Sequence, residues 1–415
     1  MSGWQVSTLG EVADFILGKM LDQAKNKGEL RPYLANVNVR WGAFDFNGLR
    51  EMRFEPREVV RYSLRYGDIL MCEGGEPGRC AIWKIRDSGL MFQKALHRIR
   101  PHDCLDSSFL YYSFLNLRKS DGFAGYFTGA TIKHLPREQL AKVEICFPEI
   151  STQQKIAAIL SAYDDLIANN QRRITLLERM AEDIYREWFV RLRFPGHESA
   201  KIEKGVPQGW TTMPSDAAFE ILGGGTPNTD TAAYWNGDIP FFTPKDATEN
   251  IYALSTEKNI TENGLRACST QFFPKNTVFI TARGTVGKLA LAGQTMAMNQ
   301  SCYALKPKQS GSVYFHYLAI RESITYIKSV SKSGVFDNIV MDTFKNVPIL
   351  MPPQSLIDSF NRQIEPFFKQ VVNLLEQRQC LAKTRDSLLP RLISGKLSVD
   401  ALDIHFPPGM QKQVM

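Results

Sequence analysis

The residue groups that most often carry enzyme chemistry are either missing from this sequence or wrongly spaced. Gly284-Thr285-Val286-Gly287-Lys288 resembles a phosphate-binding loop, but its glycines are too close together and Leu289 stands where a hydroxyl residue is needed. Pro352-Pro353 and Pro407-Pro408 lack the flanking polar residue and aromatic ring of an adenine methyltransferase loop. Neither H-E-x-x-H nor G-x-S-x-G occurs. The sequence therefore predicts no catalytic residues and favours a recognition protein over an enzyme.

Metal and disulfide chemistry are equally unsupported by the residue pattern. The seven cysteines are scattered without a C-x-x-C pair, and the six histidines do not group with them. We therefore expect no metal site and reduced cysteines, as in a cytoplasmic protein. Neither a signal peptide nor a membrane span is indicated by the apolar runs. The net charge of +7 is compatible with simple solubility or with a nucleic-acid partner.

Short apolar runs broken by glycine, proline and aspartate dominate residues 1–150 and predict strands, such as Asp68–Cys72 and Val143–Phe147. A helix is expected over Ser107–Leu117. Residues 210–353 repeat this pattern, with strands near Thr277–Thr281 and Cys302–Leu305 and a helix near Val313–Ser323. The predicted fold class is α/β, or α+β, in two similar globular modules.

The landmarks of the first module recur in order in the second, far beyond the period of roughly 20–50 residues that solenoid repeats show. Trp4 opens the first copy and Trp210 the second. Three further segments are matched in the same order: Phe15–Gly18 with Glu220–Gly223, Glu73–Arg79 with Ala282–Lys288, and Gln93–Pro101 with Gln300–Pro307. Two related modules on one chain suit a target in two parts, such as two short stretches of one DNA duplex.

Each module is followed by a segment in which apolar residues recur at spacings of four and three, which predicts a long coiled-coil helix. The seam residues of the first helix are Ile156, Leu160, Tyr163, Ile167, Asn170, Ile174 and Leu177. Those of the second are Ile364, Phe367, Val371, Leu374 and Leu381. The helices are expected to pack antiparallel between the two modules, with pseudo-twofold symmetry. Pro366 should break or restart the second helix. The alternative for both segments is an ordinary amphipathic core helix.

These patterns divide the chain into five parts. The expected boundaries are 1–150 for the first module, 151–194 for the first helix, 195–353 for the second module, 354–400 for the second helix and 401–415 for a C-terminal tail.

Several segments resemble the specificity subunits of type I restriction–modification enzymes. They are Arg31–Val39, Tyr66–Gly74, Pro77–Trp83, Pro148–Ile159, Gly284–Lys288, Asn299–Leu305 and Leu389–Leu397. The resemblance covers nearly the whole chain and includes the double module–helix plan.

The resemblance implies that each module is a target-recognition domain reading one half of a bipartite DNA sequence. The helices would set the gap between the halves and dock two modification (methyltransferase) subunits, and two restriction (motor–nuclease) subunits would then join. S-adenosylmethionine, ATP and Mg would be bound by those partners, with no cofactor on this chain. The target adenine would be flipped out of the stack for methylation by the partner.

Basic and amide side chains are the usual tools for phosphate and base contacts. The DNA-binding candidates of the first module are Arg79, Lys84, Lys94, His97, Lys133, His134 and Arg137. Those of the second are Lys245, Arg283, Lys288, Asn299, Gln300, Lys332, Ser333 and Asn338. Each basic residue could equally be a solvated surface side chain, and Gln93 and Gln300 could serve structural hydrogen bonds.

Two other functions are compatible with the sequence. One is a coiled-coil scaffold with two ligand-binding modules that do not read DNA. The other is an enzyme whose site has no linear motif, which activity of the chain alone would reveal.

Overall fold

The computed structural model describes residues 3–22, 26–203, 205–309, 313–331 and 338–406. Two compact units divide the chain. One combines residues up to Ile167 with residues from Cys380 onward, and the other spans Ala168–Gln379. Both long helices are therefore shared between the units, whereas the sequence-based boundaries placed each helix in a part of its own.

The first module is built from short strands and a few helices. Its elements are β1 (Gln5–Thr8), α1 (Leu9–Val12), β2 (Ala13–Leu17), β3 (Glu29–Leu34), β4 (Val39–Arg40), β5 (Ala43–Phe44), β6 (Arg50–Phe54), α2 (Pro56–Tyr62), β7 (Ile69–Cys72), β8 (Cys80–Ile82), β9 (Met91–Phe92), β10 (Leu96–Pro101), α3 (Ser107–Lys119), α4 (Arg137–Leu140) and β11 (Glu144–Phe147). The first long helix, α5 (Ile150–Tyr185), follows and ends in a π-helical turn at Arg186–Val190.

The second module repeats this order. Its elements are β12 (Ile202–Glu203), β13 (Val206–Pro207), β14 (Thr211–Pro214), α6 (Ser215–Ala218), β15 (Phe219–Gly223), β16 (Trp235–Phe242), β17 (Tyr252–Ala253), β18 (Lys258–Ile260), α7 (Glu262–Arg266), β19 (Val278–Thr281), β20 (Leu289–Ala292), β21 (Ala297–Met298), β22 (Cys302–Pro307), α8 (Val313–Ser331) and β23 (Pro348–Met351). The second long helix is α9 (Gln354–Ile393).

The sheet topology confirms that the two modules are copies of one plan. The main sheet has the order β2-β10-β7-β8 in the first module and β15-β22-β19-β20-β17 in the second. A three-stranded sheet accompanies each, β6-β3-β9 and β18-β16-β21, with one antiparallel and one parallel pairing in both. The predicted mixed α and β fold with two similar modules is therefore correct.

Backbone register corrects two of the sequence matches by one residue. The amide of Gln93 donates to Leu34, and the amide of Asn299 donates to the corresponding Phe242 at the end of β16. Asn299, rather than Gln300, is therefore the counterpart of Gln93. Gly224, rather than Gly223, likewise corresponds to Gly18, since a Cβ atom on either glycine would lie within 2.5 Å of the backbone at these turns.

The seam residues of both helices are buried or half-buried. Ile156, Leu160, Asn170, Ile174, Ile364, Val371 and Leu374 are buried, and Tyr163, Ile167, Leu177, Phe367 and Leu381 are half-buried. Within the second unit, Asn170 Nδ2 lies 3.4 Å from Gln377 Oε1 and the Tyr185 and Phe360 ring centroids are 6.0 Å apart. The helix segments of this unit therefore run antiparallel.

The break expected at Pro366 is absent, because α9 continues from Gln354 to Ile393 without interruption. Pro366 is exposed, while Ile364 and Phe368 beside it are buried. A proline removes one backbone hydrogen bond, and on the exposed face the freed carbonyl of Arg362 can be hydrated. Packing of the flanking side chains therefore outweighs the local preference of proline.

In the first unit, a charged cluster joins the long helices to α3. Arg385 pairs with Asp164, and the hydroxyl of Tyr112 on α3 donates to the same carboxylate at 2.7 Å. The Arg385 and Asp164 side chains are only 20% and 30% exposed. This pair lies on the seam side of the helices, where an unpaired carboxylate would be poorly solvated.

His97 on β10 is fully buried in the first module. Its Nε2 donates to the Leu135 carbonyl at 2.8 Å, and its Nδ1 is buried without a hydrogen-bond partner. Burial lowers the pKa of this imidazole, although the Leu135 carbonyl opposes the shift. The ring is therefore neutral in the folded protein near pH 7.

Replacing Arg385 with alanine should lower the free energy of unfolding by about 1–2 kcal/mol, because Asp164 loses its charged partner in a half-buried site. Arg179→Ala is the matched control, since Arg179 pairs with Asp183 at 3.8 Å with both side chains mostly exposed. It should change stability by less than about 0.5 kcal/mol. Urea denaturation measures both, and equal effects would show that the Asp164 pair adds nothing.

The stability of the first unit should decrease as the pH falls below about 6.5, the ordinary pKa of histidine. The unfolded chain binds a proton on His97 there while the folded chain does not, so unfolding is favoured by up to about 1.4 kcal/mol per pH unit from this residue. His97→Gln should remove this contribution. Urea midpoints of both proteins at pH 5.5 and pH 7.5 test it, and an identical pH dependence would contradict it.

Candidate nucleic-acid interface

Three loop segments meet at one end of the main sheet in each module. In the first module they are the loop Glu73–Arg79 between β7 and β8, the turn 93–95 before β10, and the segment that follows β3. Backbone bonds join them: Glu73 N donates to Ala95 O at 3.0 Å, and Gln93 N donates to Leu34 O at the end of β3 at 2.9 Å. Residues 133–135 reach the same end, since Leu135 N donates to Glu73 O at 2.8 Å. We call this the loop end of the first module.

The second module has the same arrangement at its own loop end, formed by Ala282–Lys288, the turn 299–301 and the segment after β16. Ala282 N donates to Ser301 O at 2.8 Å, and Asn299 N donates to Phe242 O at the end of β16 at 3.0 Å. Residues 338–339 reach the same end, since Ile339 N donates to Ala282 O at 3.0 Å. The loops of both modules turn at paired glycines, Gly75 with Gly78 and Gly284 with Gly287, all with φ between 78° and 88°. Such left-handed conformations favour glycine, so the turn geometry explains why these glycines recur.

Arg79 holds the first loop together. Its guanidinium donates to Glu76 Oε2 at 2.8 Å and to the Asn36 carbonyl at 2.9 Å, while Trp41 Nε1 donates to the other oxygen of Glu76 at 2.9 Å. Since the side chain is half-buried and engaged within the module, Arg79 positions the loop end. Lys288, its counterpart, is more exposed and lies 3.4 Å from Glu249.

Other candidates of the first module are scattered more widely than the sequence suggested. Lys94, Lys133 and His134 are exposed near the loop, and His134 forms a backbone bridge with Gly74. Arg137 is exposed and lies over the Phe15 ring of β2 at 5.6 Å.

One first-module prediction is wrong, and a second candidate lies away from the loop end. His97 is buried, with its Nε2 committed to a carbonyl, so it has no surface with which to contact DNA. Its position in a sheet strand, where alternate side chains face inward, explains this placement. Lys84 is exposed but lies at the opposite end of the sheet from the loop, because it follows β8 whereas the loop precedes it.

In the second module, Arg283 and Gln300 are exposed at the loop end, and Asn338 is half-buried beside them. Gln300 bonds the Thr226 hydroxyl. Asn299 is half-buried and accepts from the Ser301 amide at 3.1 Å, just as Gln93 accepts from Ala95 at 3.3 Å. The side chains of Asn299 and Gln93 therefore shape their turns.

Lys245 is exposed and pairs with Glu257 at 3.4 Å. It follows β16 at a position matching Val37 of the first module, since Asp246 Oδ2 accepts from the Thr243 amide as Asn38 Oδ1 accepts from Ala35. Lys332 and Ser333 lie outside the described residues.

Sequence reasoning missed several exposed residues at the first loop end. Val37 and Ile132 are 61% and 67% exposed there, and apolar contacts can read the methyl group of thymine. No sequence pattern marks them as surface residues, because isolated apolar residues in loops resemble core residues. Trp41 and Glu76 were also missed, although Glu76 lies within the matched loop.

Two kinds of site are absent from the described residues: metal-binding clusters and membrane-spanning helices. No group of three or more His, Cys, Asp or Glu residues within this part of the chain could hold a metal ion. Among the helices of the described ranges, none is both long and apolar enough to cross a membrane.

Comparison with known proteins gives a consistent result. The family model described as the type I restriction modification DNA specificity domain matches twice, at residues 1–179 and 207–382. The chain is 26% identical over 363 residues to the type I restriction enzyme MjaIX specificity subunit of Methanocaldococcus jannaschii, covering 85% of this chain and 83% of that protein. It is 22% identical to the HindI specificity subunit of Haemophilus influenzae, covering 64% of this chain and 72% of that protein.

A solved structure shares the fold. The type I restriction–modification S subunit from M. genitalium matches with a TM-score of 0.58 and 18% identity, covering 94% of this chain and 96% of that one. Each of the two family matches covers the main sheet of one module. The chain therefore belongs to the family of type I restriction–modification specificity subunits, with two copies of the DNA specificity domain.

Proposed function

We propose that each module reads one half of a bipartite DNA target through its loop end. The observation that carries this proposal is a shared backbone with different side chains. Gly74, Lys94 and His134 of the first module stand where the second has Arg283, Gln300 and Asn338, by the register of the surrounding backbone bonds. An asymmetric target requires two modules with a similar backbone that present different side chains to the bases.

The exposed groups suit the two parts of DNA recognition. Lysine side chains such as Lys94 and Lys133 contribute affinity through phosphates, which carry no sequence information. Arg283 and Gln300 can form bidentate bonds with base edges in the major groove. A net charge of +7 is modest for a DNA-binding protein and fits a grip on DNA that is shared with partner subunits.

We further propose that this chain is non-catalytic and that its long helices dock two modification subunits, with two restriction subunits joining the complex. S-adenosylmethionine, ATP and Mg then belong to those partners. The helices would also set the length of the unread gap. Exposed apolar residues on the helices, Leu166, Leu176 and Met180, are suitable contacts for a partner, since they are 48–59% exposed.

Cells that express this chain with its modification subunit should carry N6-methyladenine in one bipartite sequence, because the chain selects where the partner acts. Genome-wide mapping of methylated adenines with and without the chain tests this. A methylation pattern that does not change when the chain is deleted would contradict the proposal. If neither the chain nor its complex binds duplex DNA, the result would instead favour a scaffold that does not read DNA.

Arg283→Ala should relax the methylated sequence at one position in one half-target, since a bidentate base contact is worth about 1–3 kcal/mol of discrimination. Lys306→Ala is the control, because Lys306 is an exposed cation of the same module on β22, paired with Glu220. It should leave the target unchanged. The same target for both variants, with only a uniform loss of methylation for Arg283→Ala, would assign Arg283 to a phosphate.

A further inference from the structure

The main sheet of the first module has a second end, remote from the loop Glu73–Arg79. Because β7 runs towards that loop and β8 runs away from it, the residues before β7 meet the residues after β8 at the opposite end. Gly67 N donates to Trp83 O at 2.9 Å and Trp83 N donates to Asp68 O at 2.7 Å. We call the surface formed by α2, residues 65–68 and residues 83–86 the far end.

Five exposed cations lie on these three segments: Arg57, Arg61, Arg65, Lys84 and Arg86. Arg57 and Arg61 are four residues apart on α2 and so share a face, about 6 Å apart along the helix axis. The Arg86 guanidinium lies 5.5 Å from the Tyr66 ring centroid, which connects the two strand-flanking segments. Among the described residues, none of the five cations takes part in an ion pair.

Two acidic groups near this surface are neutralised by other cations. Asp68 is 1% exposed and accepts two bonds from Arg100, at 2.7 and 2.9 Å. Glu58 of α2 pairs with the buried Lys19 at 2.5 Å. Asp87, beside Arg86, and Glu55, directly before α2, are exposed and form no ion pair among the described residues, so they offset part of the charge of the five cations. The surface therefore keeps a substantial positive charge.

The patch is held rigidly by a further arginine. Arg98 on β10 donates to the carbonyls of Arg61 and Ser63 at 2.9 and 2.8 Å, and thus fixes the C-terminal end of α2 to the sheet. A guanidinium at a helix C-terminus also interacts favourably with the helix dipole. The exposed arginines of α2 are therefore presented from a fixed frame.

The second module has no comparable patch in the part of it that the structure describes. Residues 274–277 and 292–295 occupy the positions of 65–68 and 83–86 and contain one cation, Lys275. The short helix α7 replaces α2, and its single cation, Arg266, pairs with Glu262 at 3.3 Å. The charge is thus a property of the first module and not of the shared fold.

We propose that the far end of the first module binds the phosphate backbone of duplex DNA outside the sequence read by the loop ends. Arginine presents a planar fork that fits phosphate oxygens, and four of the five cations are arginines. Phosphate contacts carry no sequence, so this surface adds affinity without changing the target. This inference rests on the proposed function, because it requires a chain that works on DNA.

The test uses the full chain and a duplex of random sequence, with binding measured by fluorescence anisotropy over a range of salt concentrations. The variant Arg57→Gln/Arg61→Gln/Arg65→Gln should weaken binding and reduce the slope of log K against log salt by up to about 2.7, since each phosphate contact contributes about 0.9. The control Lys275→Gln/Lys306→Gln/Lys308→Gln removes three exposed cations of the second module and should leave the slope unchanged.

A second variant, Lys84→Gln/Arg86→Gln, changes the strand-flanking part of the patch and leaves α2 intact. It should reduce the slope by up to about 1.8. Wild-type slopes for both variants would overturn this inference alone, as would equal losses in the control. A wild-type protein that binds no duplex at low salt, either alone or in complex with the modification subunit, would overturn both the inference and the proposed function. The methylated sequence of both variants, in cells with the modification subunit, should remain that of the wild type.

Discussion

Burial of the long helices is the constraint on which the rest of each unit depends. In the first unit, Ile156 and Leu160 of α5 and Leu389 and Leu392 of α9 lie in one apolar cluster with strands of the main sheet and α3. In the second unit, Trp188 and Phe360 lie in the corresponding cluster. The small sheets of four or five strands would otherwise leave one face in water. The helices are therefore part of the core of each unit and not merely spacers.

Polar bonds then fix how each module sits on its own helix segments. Glu178 of α5 is buried and accepts from the Ile251 amide at 3.1 Å, and burial raises the pKa of its carboxyl although the Ile251 amide opposes this. Arg321 of α8 pairs with Glu182 of α5 at 2.6 Å. Directional contacts of this kind specify one orientation where apolar packing alone would allow several. A fixed orientation of each module on its helix segments allows the loop end to present its side chains in one geometry.

Much of the fold could be predicted from the sequence, because helix and strand periods leave clear patterns. The strand Ile69–Cys72 and the helix Ser107–Lys119 lie within two residues of their expected bounds, and both long helices begin within one residue of their expected starts. Local rules failed where long-range packing decided the outcome. Pro366 sits in an uninterrupted helix, and His97, which looked like a DNA ligand, is in the core.

The candidate interface was harder to predict than the fold. The sequence match paired Gln93 with Gln300. Strand register instead pairs Gln93 with Asn299, so Gln300 corresponds to the exposed Lys94 of the first module. The ends of a sheet strand cannot be distinguished from composition, so Lys84 was grouped with residues of the loop end. The asymmetry between the modules emerged only after the positions were matched through backbone bonds.

The discontinuous first unit has a consequence for biosynthesis. Leu389, Leu392, Ile393 and Val399, at most 8% exposed, complete a core whose other members lie within residues 9–160. A ribosome adding residues from the N-terminus must therefore produce nearly the whole chain before that core can close, and closure brings together segments of very high sequence separation. Ala168–Gln379, by contrast, is continuous in sequence. The module made first can thus complete its core only after the second module has been made, so part of its apolar surface has no partner for most of translation.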